Sequence, residues 1–287
     1  MATASEYYRL VKPGIVYGNS LHYISGVLFA ASIAWNAVAA IGGLVGVMTI
    51  IASACIVNNY IDRDLDTRMK RTNKRASATR AIPVSVGITM AAILVLLGFA
   101  SLVLTTNVLT VWLGIIAYVG YTFIYTLSKR YTVHHTLIGT IPGALPALAG
   151  YTALTNHIDL MGGLLFLLIA LWQLPHFYAI GIYRRKEYGA AGVPLLTDAY
   201  SLTAIRRYIL ILLIGYVAVA ALMSIFSLNI AGALIVTGGA VWWVIMSMRT
   251  WHKDADSWSR GVFFRSLAIT LSLPVAAALN MLYEIFA

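Results

Sequence analysis

Charge is what this chain has least of. Only 10% of its 287 residues are Asp, Glu, Lys or Arg, against about 25% in a soluble globular protein. A soluble fold so poor in charge has no means of covering itself with polar surface, which excludes a soluble enzyme. Cysteine is scarcer still. Cys55 stands alone inside an apolar run, so no internal disulfide forms and a disulfide scaffold is excluded. Its expected role is that of a small buried residue. Tandem repeats, low-complexity tracts and linkers are absent too, which removes disorder and coiled coil.

What fills the chain is apolar. Hydrophobic residues make up 60% of it, and the mean hydropathy is +0.83. At ~20 apolar residues per crossing, that is material for roughly eight or nine membrane helices. The fold expected is therefore all-α: a polytopic membrane bundle of nine transmembrane helices, forming a single domain over 1–287. The spans read near 15–35, 38–60, 84–104, 108–127, 136–155, 161–182, 208–226, 230–248 and 265–286. The segment MATASEYYRLVKPG shows no secretory cleavage signal, so the first span is expected to stay.

The basic residues orient this bundle. Segments 61–83, 128–135, 183–207 and 249–264, with Arg9, Lys12 and Arg265, hold all 20 Lys and Arg. The links near 36, 105–107, 156–160 and 227–229 hold none. Lys/Arg excess marks the cytoplasmic side. The N-terminus is therefore expected to be cytoplasmic, and nine crossings put the C-terminus outside. Most of the +10 net charge is then topology. Nucleic-acid binding is a poor reading, because the cations flank membrane spans. The long polar loops share the cytoplasmic face, so chemistry is expected at that end.

Residues 55–75 read CIVNNYIDRDLDTRMKRTNKR. Asn58, Asp62 and Asp66 recur every fourth residue. On a helix each such step turns about 40°, so the three share one face, while Asp64 points nearly the other way. Two carboxylates and an amide oxygen in line make a hard-oxygen cluster suited to Mg²⁺, which shares its remaining positions with water and substrate phosphates. Arg68, Lys70, Arg71, Lys74 and Arg75 follow at once, the right groups to bind phosphate oxygens. Acids that directly continue an apolar span are costly and functional by default.

Other features carry less. YTLSKRYTVHH at 125–135 places Lys129 and Arg130 at the end of a span. In 172–197, WQLPHFYAIGIYRRKEYGAAGVPLLT, His176 follows Pro175 inside the helix, and Tyr183, Arg184, Arg185, Lys186 and Glu187 close it. Glu187 is a weak acidic counterpart to the first motif. Gly139 and Gly143 stand at GxxxG spacing, which suits close helix packing or a kink. Asn19 and His22 are polar residues in the first span. The tryptophans read as interface or packing residues.

NNYIDRDLDTRMKRTNKR resembles the first aspartate-rich motif of the UbiA superfamily of intramembrane prenyltransferases. VKPGIVYGN at 11–19, YTLSKRYTVHHTLIGTIPGALPALAGY at 125–151, LWQLPHFYAIGIYRRKEYGAAGVPLL at 171–196 and VWWVIMSMR at 241–249 are similar to its heme O-forming branch, the protoheme IX farnesyltransferases. The resemblance covers almost the whole chain. It implies transfer of a farnesyl group from farnesyl diphosphate to the 2-vinyl group of heme B, with addition of water, giving heme O for heme-copper terminal oxidases. It further implies Mg²⁺ on Asn58, Asp62 and Asp66, and diphosphate contacts from Arg68, Lys70, Arg71, Lys129, Arg130, Arg184 and Lys186. His176, Tyr183 and Glu187 are implied as heme-side or second-motif residues. The implied setting is the bacterial cytoplasmic (inner) membrane, among membrane lipid, with the active site on the cytoplasmic side. Contact with heme-supply or terminal-oxidase assembly proteins goes with it. One departure stands out: where many relatives carry a second DxxxD motif, this chain has Tyr183-Arg184-Arg185-Lys186-Glu187 with a single acid. The alternatives are a UbiA-type enzyme acting on an aromatic or quinone precursor, a transporter with intramembrane acids, and a non-catalytic heme-binding assembly factor.

Overall fold

A computed structural model describes residues 2–227 and 229–286, and every regular element among them is helical. The long helices are α1 (Pro13–Ala30), α2 (Ala37–Ile61), α3 (Val84–Thr105), α4 (Val108–Ser128), α5 (His135–Thr155), α6 (Leu160–Tyr183), α7 (Leu202–Ser227), α8 (Ile230–Arg249) and α9 (Ala255–Phe286). Eight of them, α2 to α9, are long and apolar enough to cross a membrane. The exception is α1, where the first span was expected. Its 18 residues include Asn19, Ser20, His22 and Ser25, which lower its hydropathy.

The links without Lys or Arg make tight hairpins for a local reason. Each ends in a residue whose side chain caps the next helix: Asn36 accepts from Ala39 N–H, Asn107 from Thr110, Asp159 from Gly162 and Asn229 from Gly232. Such caps satisfy orphan donors at a helix start. Two boundaries differ from expectation. Helix α9 begins at Ala255 rather than near 265, because Asp254 accepts from Asp256 and Ser257 N–H at 3.0 Å each and Trp258 and Val262 bury its first turns. Helix α7 begins at Leu202 rather than near 208, with Ser201 Oγ accepting from Ala204 N–H.

Two apolar cores meet at α5. One gathers side chains of α1 to α5 around Tyr23, Val47, Leu102, Leu113 and Leu148. The other lies among α5 to α9, with Phe29 and Ala30 from the end of α1, around Leu165, Leu168, Ile209, Leu213 and Trp243. Helices α1 and α5 approach to backbone contact. A Cβ on Gly26 would stand 2.0 Å from the Ala147 carbonyl oxygen, and one on Gly150 2.0 Å from that of Tyr23. The Gly139/Gly143 pair serves a different contact: the Tyr125 ring lies against Gly139 and the Gln173 amide against Gly143. Between the two cores, at the end that carries the basic loops, a cavity opens.

Candidate active site

The cavity has a volume of about 610 Å³, within the range of small-molecule sites. Helices α1, α2, α4, α5, α6 and α9 all contribute walls. Its charged end is built on the last turn of α2. That helix stops at Ile61, Asp62 bends the chain with φ −85° and ψ 6°, and a short helix, Arg63–Arg68, continues. The bend departs from the straight helix expected, yet Asp62 N–H still donates to the Asn58 carbonyl at 2.9 Å and Asp66 N–H to that of Asp62 at 2.8 Å. The fourfold spacing therefore survives. Asn58, Asp62 and Asp66 all line the cavity and are 1%, 6% and 1% exposed. Asp64 points out to solvent, where Arg130 grips it at 2.6 and 2.7 Å.

Each of the three oxygen-bearing groups meets its own cation. Lys12 Nζ donates to Asn58 Oδ1, Lys129 pairs with Asp62 Oδ2, and Arg75 holds Asp66 through both oxygens. Asn58 Nδ2 donates to Asp62 Oδ2 at 3.0 Å and to Thr126 Oγ1 at 2.8 Å, which fixes the amide with its oxygen toward Lys12. Thr126 in turn donates to the Tyr121 carbonyl across a π-helical turn, Gly120–Tyr125. That wider turn is a common accommodation at functional sites. It carries the stacked rings of Tyr121 and Tyr125 on the cavity wall, with Lys129 over Tyr125 at 4.7 Å.

Lys12 adopts the left-handed conformation, φ 52° and ψ 66°, just before Pro13 opens α1. A non-glycine residue there is strained, and such strain gathers at functional sites. Burial pulls its ammonium down to about 8. By contrast, the Arg130 guanidinium holds the Asp64 carboxyl at about 2.

Opposite, the end of α6 supplies Tyr183 and Arg184, and the short helix Arg185–Ala191 supplies Tyr188. Glu187 ties the two sides together. Its Oε1 accepts from Arg71 N–H at 2.9 Å and its Oε2 from Arg184 Nη1 at 3.1 Å. Burial works to raise its pKa, but those donors outweigh it and the carboxyl sits below its ordinary value. Arg71, Arg75, Lys129 and Arg184 border the cavity together with Lys12. Arg68, Lys70, Lys74 and Lys186 are exposed and do not border it, and Arg130 is engaged by Asp64 and the Ile61 carbonyl.

The donor set fits a divalent ion. Asp62 Oδ1 is buried with no hydrogen-bond partner, while its neighbours Asn58 and Asp66 add hard oxygens. Among the described residues no three His, Cys, Asp or Glu side chains form a group that could hold a metal by themselves. An ion here would rest on Asp62 and Asp66 with Asn58, and Mg²⁺ is an ion that binds through one or two carboxylates and fills its shell with water and substrate phosphates.

Further in, the walls turn aromatic and apolar. Trp172, His176 and Phe177 of α6 face Phe263, Leu267 and Thr270 of α9, with Asn19 and His22 from α1. His176, an expected site residue, borders the cavity. Lys12, Tyr121, Tyr125 and Tyr188 were not anticipated. For Lys12 a signal existed, a lysine immediately before the proline that opens a helix.

Comparison with known proteins follows the same lines. The chain matches the UbiA prenyltransferase family over residues 21–268. It is 35% identical over 278 residues to a protoheme IX farnesyltransferase of Serratia proteamaculans (strain 568), covering 96% of this chain and 94% of that one. It is 37% identical over 283 residues to a protoheme IX farnesyltransferase 2 of Shewanella sp. (strain ANA-3), covering 96% and 90%. Among solved structures, a digeranylgeranylglyceryl phosphate synthase superposes with a TM-score of 0.78 at 16% identity, covering 96% of this chain and 98% of that one. A UbiA homologue from Archaeoglobus fulgidus bound to GPP and Mg²⁺ gives 0.68 at 15% identity, covering 95% and 99%.

Proposed function

The chain belongs to the UbiA prenyltransferase family, and from that premise we propose that it transfers the farnesyl group of farnesyl diphosphate to the 2-vinyl group of heme B, with addition of water, to give heme O. The names of the relatives at 35–37% identity support the two substrates. The observation that carries the reading is the unpartnered Asp62 Oδ1, set with Asn58 and Asp66 among five cations at one end of a cavity whose other end is aromatic.

The division of labour follows from charge. Asn58, Asp62 and Asp66 hold Mg²⁺, which, when bound, supplies Lewis-acid neutralisation of the departing diphosphate. Lys12, Arg71, Arg75, Lys129 and Arg184 take its peripheral oxygens, aimed at where negative charge grows. Tyr121, Tyr125 and the apolar walls take the prenyl chain and keep water from the allylic cation. The vinyl group is the nucleophile, and water captures the resulting cation beside the ring. Glu187 contributes by holding Arg71 and Arg184 across the mouth rather than as a metal ligand.

In this reading the whole chain, 1–287, works as one domain in the bacterial cytoplasmic membrane. All nine long helices span it, the N-terminus and the charged end face the cytoplasm, and the C-terminus lies outside. The concentration of every Lys and Arg at one end supports that orientation. The product supplies heme-copper terminal oxidases.

Incubating the purified protein with heme B, farnesyl diphosphate and Mg²⁺, followed by mass analysis of the porphyrin, tests the reading. Heme O is expected, lost with excess chelator and restored by Mg²⁺. Asp62→Ala and Asp66→Ala are expected to abolish it while still inserting in the membrane. Prenylation of an aromatic acid with heme B untouched would move the protein to another branch of the family.

A further inference from the structure

His176 meets Ser266 through one ring nitrogen, Nδ1. Ser266 Oγ donates its only proton to the Phe263 carbonyl at 2.5 Å. With that proton committed, Ser266 Oγ offers His176 Nδ1, 2.6 Å away, an acceptor, a pairing that favours the ring proton on Nδ1. In the neutral ring this pairing leaves the lone pair on Nε2. Among the described residues it has no hydrogen-bond partner, and the residue borders the cavity. The ring's orientation is fixed on several sides. It stacks on Trp172 at 5.0 Å and 26°, with the Phe177 and Phe263 rings each at 4.9 Å. Trp172 is itself pinned by donating Nε1–H to the Ser266 carbonyl at 2.8 Å. The Trp172 stack covers one face of the imidazole, while the Phe177 ring stands perpendicular to it and the Phe263 ring is tilted.

This is the arrangement of a metal-binding histidine: a neutral ring, one nitrogen donating to an outer partner that sets the tautomer, the other presented to the metal. The two other cavity histidines differ. His22 binds Thr270 and His135 binds the Pro194 carbonyl through Nε2, and in each the unpartnered Nδ1 is buried without accessible surface. Open space runs along the wall of the cavity that His176 borders. A Cβ on Gly14 or Gly18 of α1 would touch nothing within 4 Å, and one on Gly181 of α6 only Leu195 at 3.9 Å. All three glycines border the cavity. Bare backbone of this kind accommodates a broad flat ring.

We propose that His176 Nε2 is an axial ligand of the iron of the tetrapyrrole substrate, fixing the macrocycle by its centre while its edge faces the prenyl donor. The proposal rests on the heme-prenylating reading above and adds the point of attachment. Proximal histidine is a common way of holding heme iron. Ser266 acts as a positioning residue, through the tautomer it favours.

The experiment compares binding of heme B and of metal-free protoporphyrin IX to the purified protein, without prenyl diphosphate, by absorption and electron paramagnetic resonance. In the intact protein heme B is expected to give the spectrum of a histidine-ligated iron. His176→Gln is expected to lose that spectrum and to bind heme B at least tenfold more weakly, with its affinity for metal-free protoporphyrin unchanged. Added imidazole is expected to restore the ligated spectrum in His176→Gly. Ser266→Ala is expected to weaken heme B binding, again sparing the metal-free ring. Heme O formation by a protein whose iron spectrum and heme affinity survive His176→Gln would overturn the ligation alone. Absence of both heme binding and heme O formation in the intact protein would overturn the functional reading with it.

Discussion

Both carboxylate oxygens of Asp66 accept from a single nitrogen of Arg75, Nη1, at 2.9 and 2.7 Å. The acid is almost sealed, with 2% of its side chain exposed, while the arginine keeps 27%. Removing the guanidinium strands a buried charge, at a cost of roughly 1–3 kcal/mol. Arg75→Met is expected to lower the melting temperature in detergent, and Asp66→Asn on that background to recover part of the loss. Mg²⁺ is expected to raise the melting temperature of Arg75→Met more than that of the parent, because the ion then replaces the missing cation. Equal shifts in the two proteins would count against Asp66 as a metal ligand.

Lys12 lies 46 residues from Asn58 in sequence but donates to its amide oxygen. In the proposed reaction its ammonium turns to the diphosphate. A charge-assisted hydrogen bond is worth about 1.5–3 kcal/mol, which corresponds to roughly 10-fold to 150-fold. Lys12→Met is therefore expected to weaken inhibition by inorganic pyrophosphate at least tenfold, with little change in heme B affinity. Calorimetric titration of the two ligands separates these effects.

The Asp64–Arg130 pair predicts an acid limb. Asp64 titrates at about 2 in the fold, against an ordinary value of 3.8. A carboxyl so depressed contributes its full stabilisation above about pH 4 and loses it between about 4 and 2. Asp64 is 52% exposed, so the contribution is under about 1 kcal/mol. Asp64→Asn and Arg130→Met are each expected to flatten the melting temperature against pH in that window and to lower it near pH 7 by the small amount the pair contributes there. Heme O formation is expected to persist in Asp64→Asn, because the side chain faces away from the cavity.

Gly26 and Gly150 are expected to be the most sensitive small residues of the bundle. Any Cβ there meets backbone, which cannot step aside as a side chain does. Overpacking typically costs 1–3 kcal/mol, and a backbone clash in both partners belongs at or above the top of that range. Gly26→Ala and Gly150→Ala are expected to lower the yield of folded protein, read by size-exclusion profile. Gly163→Ala, which meets open space, is expected to behave as the parent.

Much of this was readable from residue patterns. The apolar runs located the long helices, because a bilayer fixes their length and composition together. Asn58, Asp62 and Asp66 were legible because fourfold spacing survives a bend when the i to i−4 hydrogen bonds survive it. Partnerships across the cavity were not. Nothing in the string shows that Lys12 meets Asn58, that Arg75 folds back onto Asp66, or that Glu187 accepts from the Arg71 backbone. The last two depend on how the 69–83 loop returns over the site, and the first on how α1 packs against α2. The exposed positions of Arg68, Lys70 and Lys186 were equally hidden, since a basic cluster does not announce which members face inward. The early start of α9 escaped because its first turns are amphipathic rather than uniformly apolar.

The polar first helix bears on how the protein is made. α1 carries Asn19, Ser20, His22 and Ser25, and its glycine-to-backbone seam is with α5, whose residues are translated more than a hundred positions later. Until α5 emerges from the ribosome, α1 lacks the helix against which its Gly26 backbone packs, and His22 waits longer still for Thr270 of α9. The reaction chamber, walled by α6 and α9 as well, closes only once the last of these helices has been made.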